Sequence, residues 1–227
     1  MVLIMNAKQE KAFQDMVTAY QKRGDPSGWC ETVYKNANGD PSAVFWADLE
    51  PNPYLIAWLK EHPIAMLKKA IVVGCGVGDD AEEIARHGYQ VTAFDISESA
   101  IELCLNRYPD SPVDYLTADL LDFPHEWFRS FDLVYECNTI QVLPGEYRIK
   151  ARQAIANLAN IGGHVLVSCR SREAGKNADA MPLPLDKKEI DGFLDEGLSE
   201  TLFESYLDNQ KPPVPHFFAA YQRPLLF

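Results

Sequence analysis

Val72-Val73-Gly74-Cys75-Gly76-Val77-Gly78-Asp79 is the stretch that decides the fold of this chain of 227 residues. It follows a predicted β-strand at residues 70–73 and opens a predicted helix at residues 79–87. Glycines at such a turn let the backbone bend tightly and approach a ligand without a Cβ in the way. The order of strand, glycine-rich turn and helix predicts the start of a βαβ unit that binds a ligand at the turn.

An acidic residue at the end of the next predicted strand supports this interpretation. The segment Val91-Thr92-Ala93-Phe94-Asp95 places Asp95 21 positions after Gly74. In dinucleotide-binding folds, the acid that binds the ribose lies about 20 residues after the glycines. A carboxylate at this position accepts hydrogen bonds from both ribose hydroxyls, so Asp95 is predicted to bind a ribose.

The rest of the chain alternates between apolar β-branched runs and helical stretches, which predicts parallel βαβ units in a doubly wound α/β sheet. The tail departs from this pattern, because a predicted helix at 186–195 is followed by two β segments with no helix between them. We expect that pair to lie antiparallel at one edge of a Rossmann-like, mostly parallel sheet of seven strands. The predicted strands are 70–73, 91–94, 113–117, 131–135, 165–169, 199–206 and 217–226, and the helices between them are 79–87, 97–107 and 146–159.

The N-terminal part has a different pattern. Phe13, Met16, Val17 and Tyr20 repeat at helical spacing, so residues 7–22 are predicted to form an amphipathic helix. Residues 23–53 are rich in Gly, Pro, Asn and aromatic residues and are expected to form an ordered loop region, and residues 54–67 are again expected to be helical. We expect residues 1–56 to form a helical cover within the same domain as residues 57–227.

The composition limits the partners. The chain has 33 acidic against 21 basic residues, a formal net charge of -12, which disfavours nucleic acid and acidic membrane surfaces. No run of 18 apolar residues occurs, and the apolar start at residues 1–5 is too short for a signal sequence. Five cysteines without a C-x-x-C pair indicate reduced thiols. A soluble cytoplasmic protein without a bound metal is expected.

The residues at the start of the predicted helix favour S-adenosylmethionine (SAM) over a dinucleotide. A dinucleotide turn that begins at Gly74 needs a glycine-like residue at position 79, next to the pyrophosphate. The chain has Asp79 and Asp80 there, which repel a diphosphate but tolerate a ligand with a sulfonium and an amino group. An NAD-linked oxidoreductase and a non-catalytic SAM-binding module remain the alternatives to a methyltransferase.

The motif residues resemble those of class I SAM-dependent methyltransferases. The resemblance rests on the glycine stretch, on Phe94-Asp95-Ile96-Ser97 and on Ala100-Ile101, and within the class it is closest to the small-molecule branch of thiopurine, thiol and halide methyltransferases. The segment Trp46-x-x-x-x-Pro51-x-Pro53 is similar to the part of that branch that covers the cofactor. One departure is Val72, which stands where many members carry an acid, so the methionine amino group is expected to be bound elsewhere.

The resemblance implies a set of site residues and a reaction, namely methyl transfer by in-line displacement to an S, O or N atom of a small-molecule acceptor. Asp119 is implied to bind the adenine amino group, and Glu136 to lie beside the methionine part and the acceptor. The predicted cofactor-binding residues are Gly74, Cys75, Gly76, Gly78, Asp95, Ile96, Asp119, Leu120, Glu136 and Trp46.

The acceptor side is less defined by the sequence. Glu136 and His216 are the candidates for a catalytic base, the latter because it precedes Phe217 and Phe218 in the tail. Aromatic residues of the N-terminal segment are the candidates for acceptor contacts; alternatively, they pin this segment onto the core. These candidates are Trp29, Tyr34 and Trp46.

Overall fold

The structure is a computed structural model that describes residues 6–176, 178 and 180–225. The apolar start at residues 1–5 and residue 226, with which the last predicted strand ends, lie outside the described residues. Among the described residues, no helix combines the length and the apolar character that crossing a membrane requires.

The helices of the described part follow from the amphipathic patterns of the sequence. The first begins at an asparagine cap, where the Asn6 side chain accepts from the Gln9 backbone and the Gln9 side chain accepts from the Asn6 backbone. The helices are α1 (Ala7–Lys22), α2 (Trp29–Asn36), α3 (Pro53–Glu61), α4 (Asp79–Arg86), α5 (Glu98–Arg107), α6 (Gly145–Leu158) and α7 (Lys187–Asp195).

Within the described residues, seven strands form one sheet in the order β3-β2-β1-β4-β5-β7-β6. The pairs β2–β3, β1–β4 and β4–β5 are parallel, whereas β7 runs antiparallel to both β5 and β6. The predicted Rossmann-like α/β fold with an antiparallel C-terminal edge pair is therefore confirmed. The strands are β1 (Lys69–Val73), β2 (Gln90–Asp95), β3 (Asp114–Thr117), β4 (Phe131–Cys137), β5 (Ala159–Arg170), β6 (Ser199–Leu207) and β7 (Pro215–Gln222).

The chain divides into two compact units. The first unit comprises residues 6–67 and 74–119 and therefore holds the glycine stretch, α1 to α5, β2 and β3. The second unit comprises residues 68–73 and the described residues from 120 to 225, and holds β1, β4 to β7, α6 and α7. The predicted division into a cover at 1–56 and a domain at 57–227 stays a prediction.

Two predictions of local structure were wrong. Residues 23–53 contain the helix α2 and a short 3-10 helix at Pro41–Ala43, where only loop was expected. Glycine and proline flank α2 and obscure its apolar face, which buries Trp29 and Tyr34. The helix predicted at 54–67 ends at Glu61. The reason is Pro63, because a proline disfavours the helical conformation at the residue before it, which is His62.

Candidate functional site

The glycine stretch forms a tight loop that only glycine tolerates at three positions. Gly74, Gly76 and Gly78 have φ angles of 62°, 56° and 93°, which lie in the left-handed region. The Cys75 N–H donates to the carbonyl of Phe94 at 2.9 Å, which ties the loop to the end of β2. The loop therefore presents bare backbone directly beside the candidate ribose acceptor.

Asp95 is tied to the same loop through its side chain. The N–H of Gly76 donates to Oδ2 and the N–H of Ser97 donates to Oδ1, both at 3.0 Å. The residue is 6% exposed, and this burial raises its pKa, which the backbone N–H donors of Ser97, Gly76 and Ile96 oppose. A carboxylate has about four acceptor sites, so these bonds leave capacity for a ribose hydroxyl.

Two further predicted cofactor residues lie at the same edge of the first unit. Ile96 follows Asp95 and is 39% exposed, so it offers an apolar surface next to a buried acid. Asp119 is exposed and lies two residues beyond Thr117, which pairs with Asp95 across the parallel strands β2 and β3. The first unit thus brings together the glycines, Asp95, Ile96 and Asp119, whereas Leu120 is buried in the second unit.

The acid at the start of α4 is paired, which changes the reason for disfavouring a dinucleotide. Both carboxylate oxygens of Asp79 accept from Arg107, at 2.7 and 2.8 Å, and Oδ1 also accepts from Tyr108. The ion pair neutralises the charge of Asp79, whereas Asp80 Oδ1 accepts from the Asn52 N–H at 2.7 Å. For Asp79 the remaining obstacle is its size, because its side chain occupies the position where a dinucleotide turn needs a glycine.

Cys75 and Cys104 lie against each other under the loop. A hydrogen bond with Cys104 is the largest cause that raises the pKa of Cys75, followed by burial, and Cys104 Sγ donates to the carbonyl of Gly76 at 3.2 Å. Both thiols therefore support the loop from within the first unit.

The aromatic residues of the N-terminal segment pack on the loop and on each other. The Tyr34 hydroxyl lies 3.1 Å from where a Cβ on Gly76 would be, and Trp46 Nε1 donates to that hydroxyl at 3.3 Å. Trp29 is buried edge-on against Phe13 and Trp46. Burial raises the pKa of Tyr34, and the charge of Asp95 adds to this effect. These contacts favour packing for Trp29 and bring Tyr34 to the loop; the acceptor role of all three stays a prediction.

Glu136 is the penultimate residue of β4 in the second unit and is fully buried. Its Oε2 accepts from the backbone N–H of Thr139 at 3.0 Å and of Ile140 at 3.2 Å, while Oε1 has no hydrogen-bond partner among the described residues. Burial raises the pKa of Glu136 to about 8, against the effect of the two N–H donors. Thr139 Oγ1 also donates to the carbonyl of Val73 at 3.0 Å, so this turn is tied to the end of β1.

His216 lies at the start of β7, also in the second unit. Its Nδ1 lies 3.0 Å from the carbonyl oxygen of Val214 and 3.9 Å from Asp208 Oδ2. Because a carbonyl only accepts, Nδ1 carries the proton and Nε2 is the basic nitrogen of the neutral ring. The imidazole stacks on Tyr206, whose hydroxyl lies 3.4 Å from Ser168 Oγ. Sequence reasoning missed Tyr206 and Ser168.

The two candidates for a catalytic base point to opposite faces of the sheet. Glu136 is paired with Val167, which in turn is paired with Ala219. His216 lies three residues before Ala219 on the same strand, and side chains an odd number of positions apart lie on opposite faces. Glu136 and His216 therefore cannot share one proton.

Sequence reasoning also missed a carboxylate of α2. Glu31 accepts hydrogen bonds from Ser97 and Ser99 at the start of α5. The serines carried a signal, because a serine before a helical pattern indicates an N-cap. Glu31 carried none, since a partner 66 positions away leaves no local pattern.

The fold, the glycine loop and the acid that is hydrogen-bonded to it are those of class I SAM-dependent methyltransferase domains, and the cofactor of such a domain is SAM. Residues 71–167 match the family model described as a methyltransferase domain.

Sequence relatives agree with this assignment. The chain is 31% identical over 137 residues to a ubiquinone biosynthesis O-methyltransferase of Thiobacillus denitrificans, covering 60% of this chain and 58% of that protein. It is 25% identical over 172 residues to a cypemycin N-terminal methyltransferase of Streptomyces, covering 73% and 67%. The chain thus spans just over half the length of the O-methyltransferases that it matches.

A solved structure shares the fold. The N-methyltransferase NodS from Bradyrhizobium japonicum, in complex with S-adenosyl-L-homocysteine, superposes with a TM-score of 0.64 at 18% identity. The match covers 85% of this chain and 98% of that one.

Proposed function

We propose that the chain transfers the methyl group of SAM to a small-molecule acceptor. The observation that carries the proposal is the bond between the Asp95 carboxylate and the Gly76 N–H, because it joins the ribose acceptor and the glycine loop in one unit. The methyltransferase relatives support the reaction type, and Asp79 stands where the turn of a nicotinamide-binding fold needs a glycine.

The residues of the first unit fit SAM. Asp95 receives the ribose hydroxyls, the exposed side chain of Ile96 packs on the adenine, and Asp119 accepts from the adenine amino group. When bound, SAM supplies a methyl group that is already activated by the sulfonium. The chain itself then has to orient the acceptor in line with that group and exclude water.

His216 is our candidate for the base that removes a proton from a hydroxyl acceptor. Its tautomer makes Nε2 the basic nitrogen, and Asp208 Oδ2 lies 3.9 Å from Nδ1 on the other side of the ring. Glu136 suits this role less, because one oxygen is committed to two backbone donors.

We also infer that the chain works in a reducing compartment such as the cytoplasm. All five cysteines are free thiols, and disulfides form where the surroundings are oxidising.

The test of the reaction is transfer of label from methyl-labelled SAM to a panel of phenols, alcohols, amines and thiols. Formation of a labelled product that depends on the enzyme supports methyl transfer. Binding of SAM in calorimetry without transfer to any acceptor of the panel would contradict the proposal in favour of a module that only binds the cofactor.

Asp95→Ala is expected to weaken the binding of SAM by about 2 kcal/mol, because the ribose hydroxyls lose a charged acceptor. Isothermal titration calorimetry measures the loss. Asp110→Ala serves as the control, since this acid lies in the turn after α5, away from the end of β2. Equal affinities for wild type and Asp95→Ala would remove Asp95 from the cofactor site.

His216→Asn is expected to lower turnover by ~100-fold, the usual range for loss of a general base, without changing the dissociation constant of SAM. Steady-state kinetics with a hydroxyl acceptor and calorimetry measure the two quantities. His164→Asn, on the neighbouring strand β5, is the matched control and should retain turnover. If both variants retain wild-type rates, His216 is not the base.

A further inference from the structure

A cluster of hydrogen bonds joins the N-terminal helix α2 to the turn that carries the candidate ribose acceptor, entirely within the first unit. Glu31 Oε2 accepts from Ser97 Oγ at 2.7 Å and from the Ser99 N–H at 3.2 Å. Glu31 Oε1 accepts from Ser99 Oγ at 2.7 Å. One carboxylate thus holds two serines that lie 66 and 68 positions further along the chain.

These bonds complete the start of α5. The first N–H groups of a helix have no partner within the helix. Ser97 Oγ caps the Ala100 N–H at 3.1 Å, and Glu31 takes the Ser99 N–H. The positive end of the helix dipole adds a favourable interaction with the carboxylate of Glu31.

The same turn orients Asp95. The Ser97 N–H donates to Asp95 Oδ1, so Ser97 is bonded to Asp95 through its backbone and to Glu31 through its side chain. Two ionised carboxylates both only accept hydrogen bonds, so Glu31 acts on Asp95 through Ser97 and through charge. A change at Glu31 therefore reaches Asp95 by releasing the turn between them.

The direction of the pKa shift of Glu31 indicates that the hydrogen bonds from Ser97 and Ser99 stabilise its ionised form. Burial by itself would raise the pKa of Glu31, but the hydrogen bonds from Ser97 and Ser99 lower it below its ordinary value. The charge of Glu31 in turn raises the pKa of Asp95. Two carboxylates that repel each other are thus held near the same turn by the donors between them.

We propose that Glu31 is a positioning residue for ribose recognition, which fixes the turn at Ser97 so that the carboxylate of Asp95 meets the ribose hydroxyls. The proposal rests on the proposed function, since it requires that Asp95 binds the ribose of SAM. It gives the N-terminal segment a part in cofactor recognition through a residue that itself does not touch the cofactor.

The experiment separates positioning from simple tethering of α2. Calorimetry compares S-adenosylhomocysteine with its 2′-deoxyribose analogue in wild type, Glu31→Ala, Glu31→Gln and Asp95→Ala. In wild type, loss of the 2′-hydroxyl is expected to weaken binding by about tenfold, since a hydrogen bond to a charged group is lost. In Asp95→Ala the ratio of the dissociation constants of the two ligands is expected to be about one. In Glu31→Ala this ratio is expected to fall from the wild-type value towards one.

Partial rescue is expected in Glu31→Gln, because the amide keeps one oxygen that accepts from Ser97. A tether without a positioning role would weaken the binding of both ligands equally and leave the ratio at the wild-type value, which would overturn the proposal. Ser99→Ala is the control, since it removes one bond to Glu31 and leaves the bond to Ser97. Circular dichroism confirms that each variant is folded.

Failure of this inference is distinguishable from failure of the proposed function. If wild type binds neither ligand, the assignment of the cofactor is wrong. If wild type binds both with the expected ratio and Glu31→Ala retains it, only the role of Glu31 is wrong.

Discussion

Gly76→Val is expected to abolish measurable binding of SAM while the protein stays folded. A branched residue is strained at the φ of +56° that Gly76 adopts, and its Cβ would lie 3.1 Å from the Tyr34 hydroxyl. The side chain would also cover the backbone that the loop presents to the cofactor. Calorimetry with SAM, together with circular dichroism and thermal melting, measures binding and folding.

The matched control is Gly39→Val. Gly39 also has a left-handed φ, +83°, and belongs to the same unit, but nothing lies within 4 Å of a Cβ placed there. The control should carry a similar backbone strain and bind SAM with the wild-type affinity. If Gly76→Val bound SAM as well as Gly39→Val does, the glycine loop would be a structural turn and not a cofactor site.

The fold was predictable because its signals are local. The apolar runs at 70–73, 131–135 and 165–169 correspond to strands whose residues are almost all buried, as parallel strands covered on both faces require. The glycine spacing and Asp95 were predictable for the same reason, since a tight turn and the end of the next strand leave marks within a window of about 20 residues.

The parts that sequence reasoning missed depend on contacts between distant residues. Asp79 looked like a free charge, because its partner Arg107 lies 28 positions away. Glu31 and its bonds to the start of α5 left no trace in any local pattern. The opposite orientation of Glu136 and His216 follows from strand register, which a single sequence does not reveal.

Glu136 leads to the second large effect, a dependence of stability on pH in the absence of ligand. Its pKa is raised from 4.5 to about 8 by burial in the folded protein. In the unfolded chain the carboxyl loses its proton near its ordinary pKa, whereas in the folded protein it keeps the proton until about pH 8. Between these values the folded state binds more protons, so the stabilising contribution is full below pH 4.5 and is lost as the pH rises to about 8.

Glu136→Gln is therefore expected to gain stability relative to wild type as the pH rises. The amide has no proton to lose, and its oxygen can still accept from the N–H groups of Thr139 and Ile140. We expect a relative gain of ~2 kcal/mol or more between pH 5 and pH 9, since each unit of pKa difference corresponds to about 1.4 kcal/mol. Urea unfolding across this range measures it.

The comparison of two proteins at each pH removes the titration of the groups that they share. Near Glu136, the second unit also holds two cysteines, Cys137 on β4 and Cys169 on β5. Burial and the charge of Glu136 raise the pKa of Cys169. Glu146→Gln is the control, because this glutamate is exposed at the start of α6 and should give a curve parallel to that of wild type. If the curve of Glu136→Gln is also parallel to that of wild type, Glu136 ionises in the folded protein as it does in water. Its burial then does not raise its pKa, and the expected dependence of stability on pH is wrong.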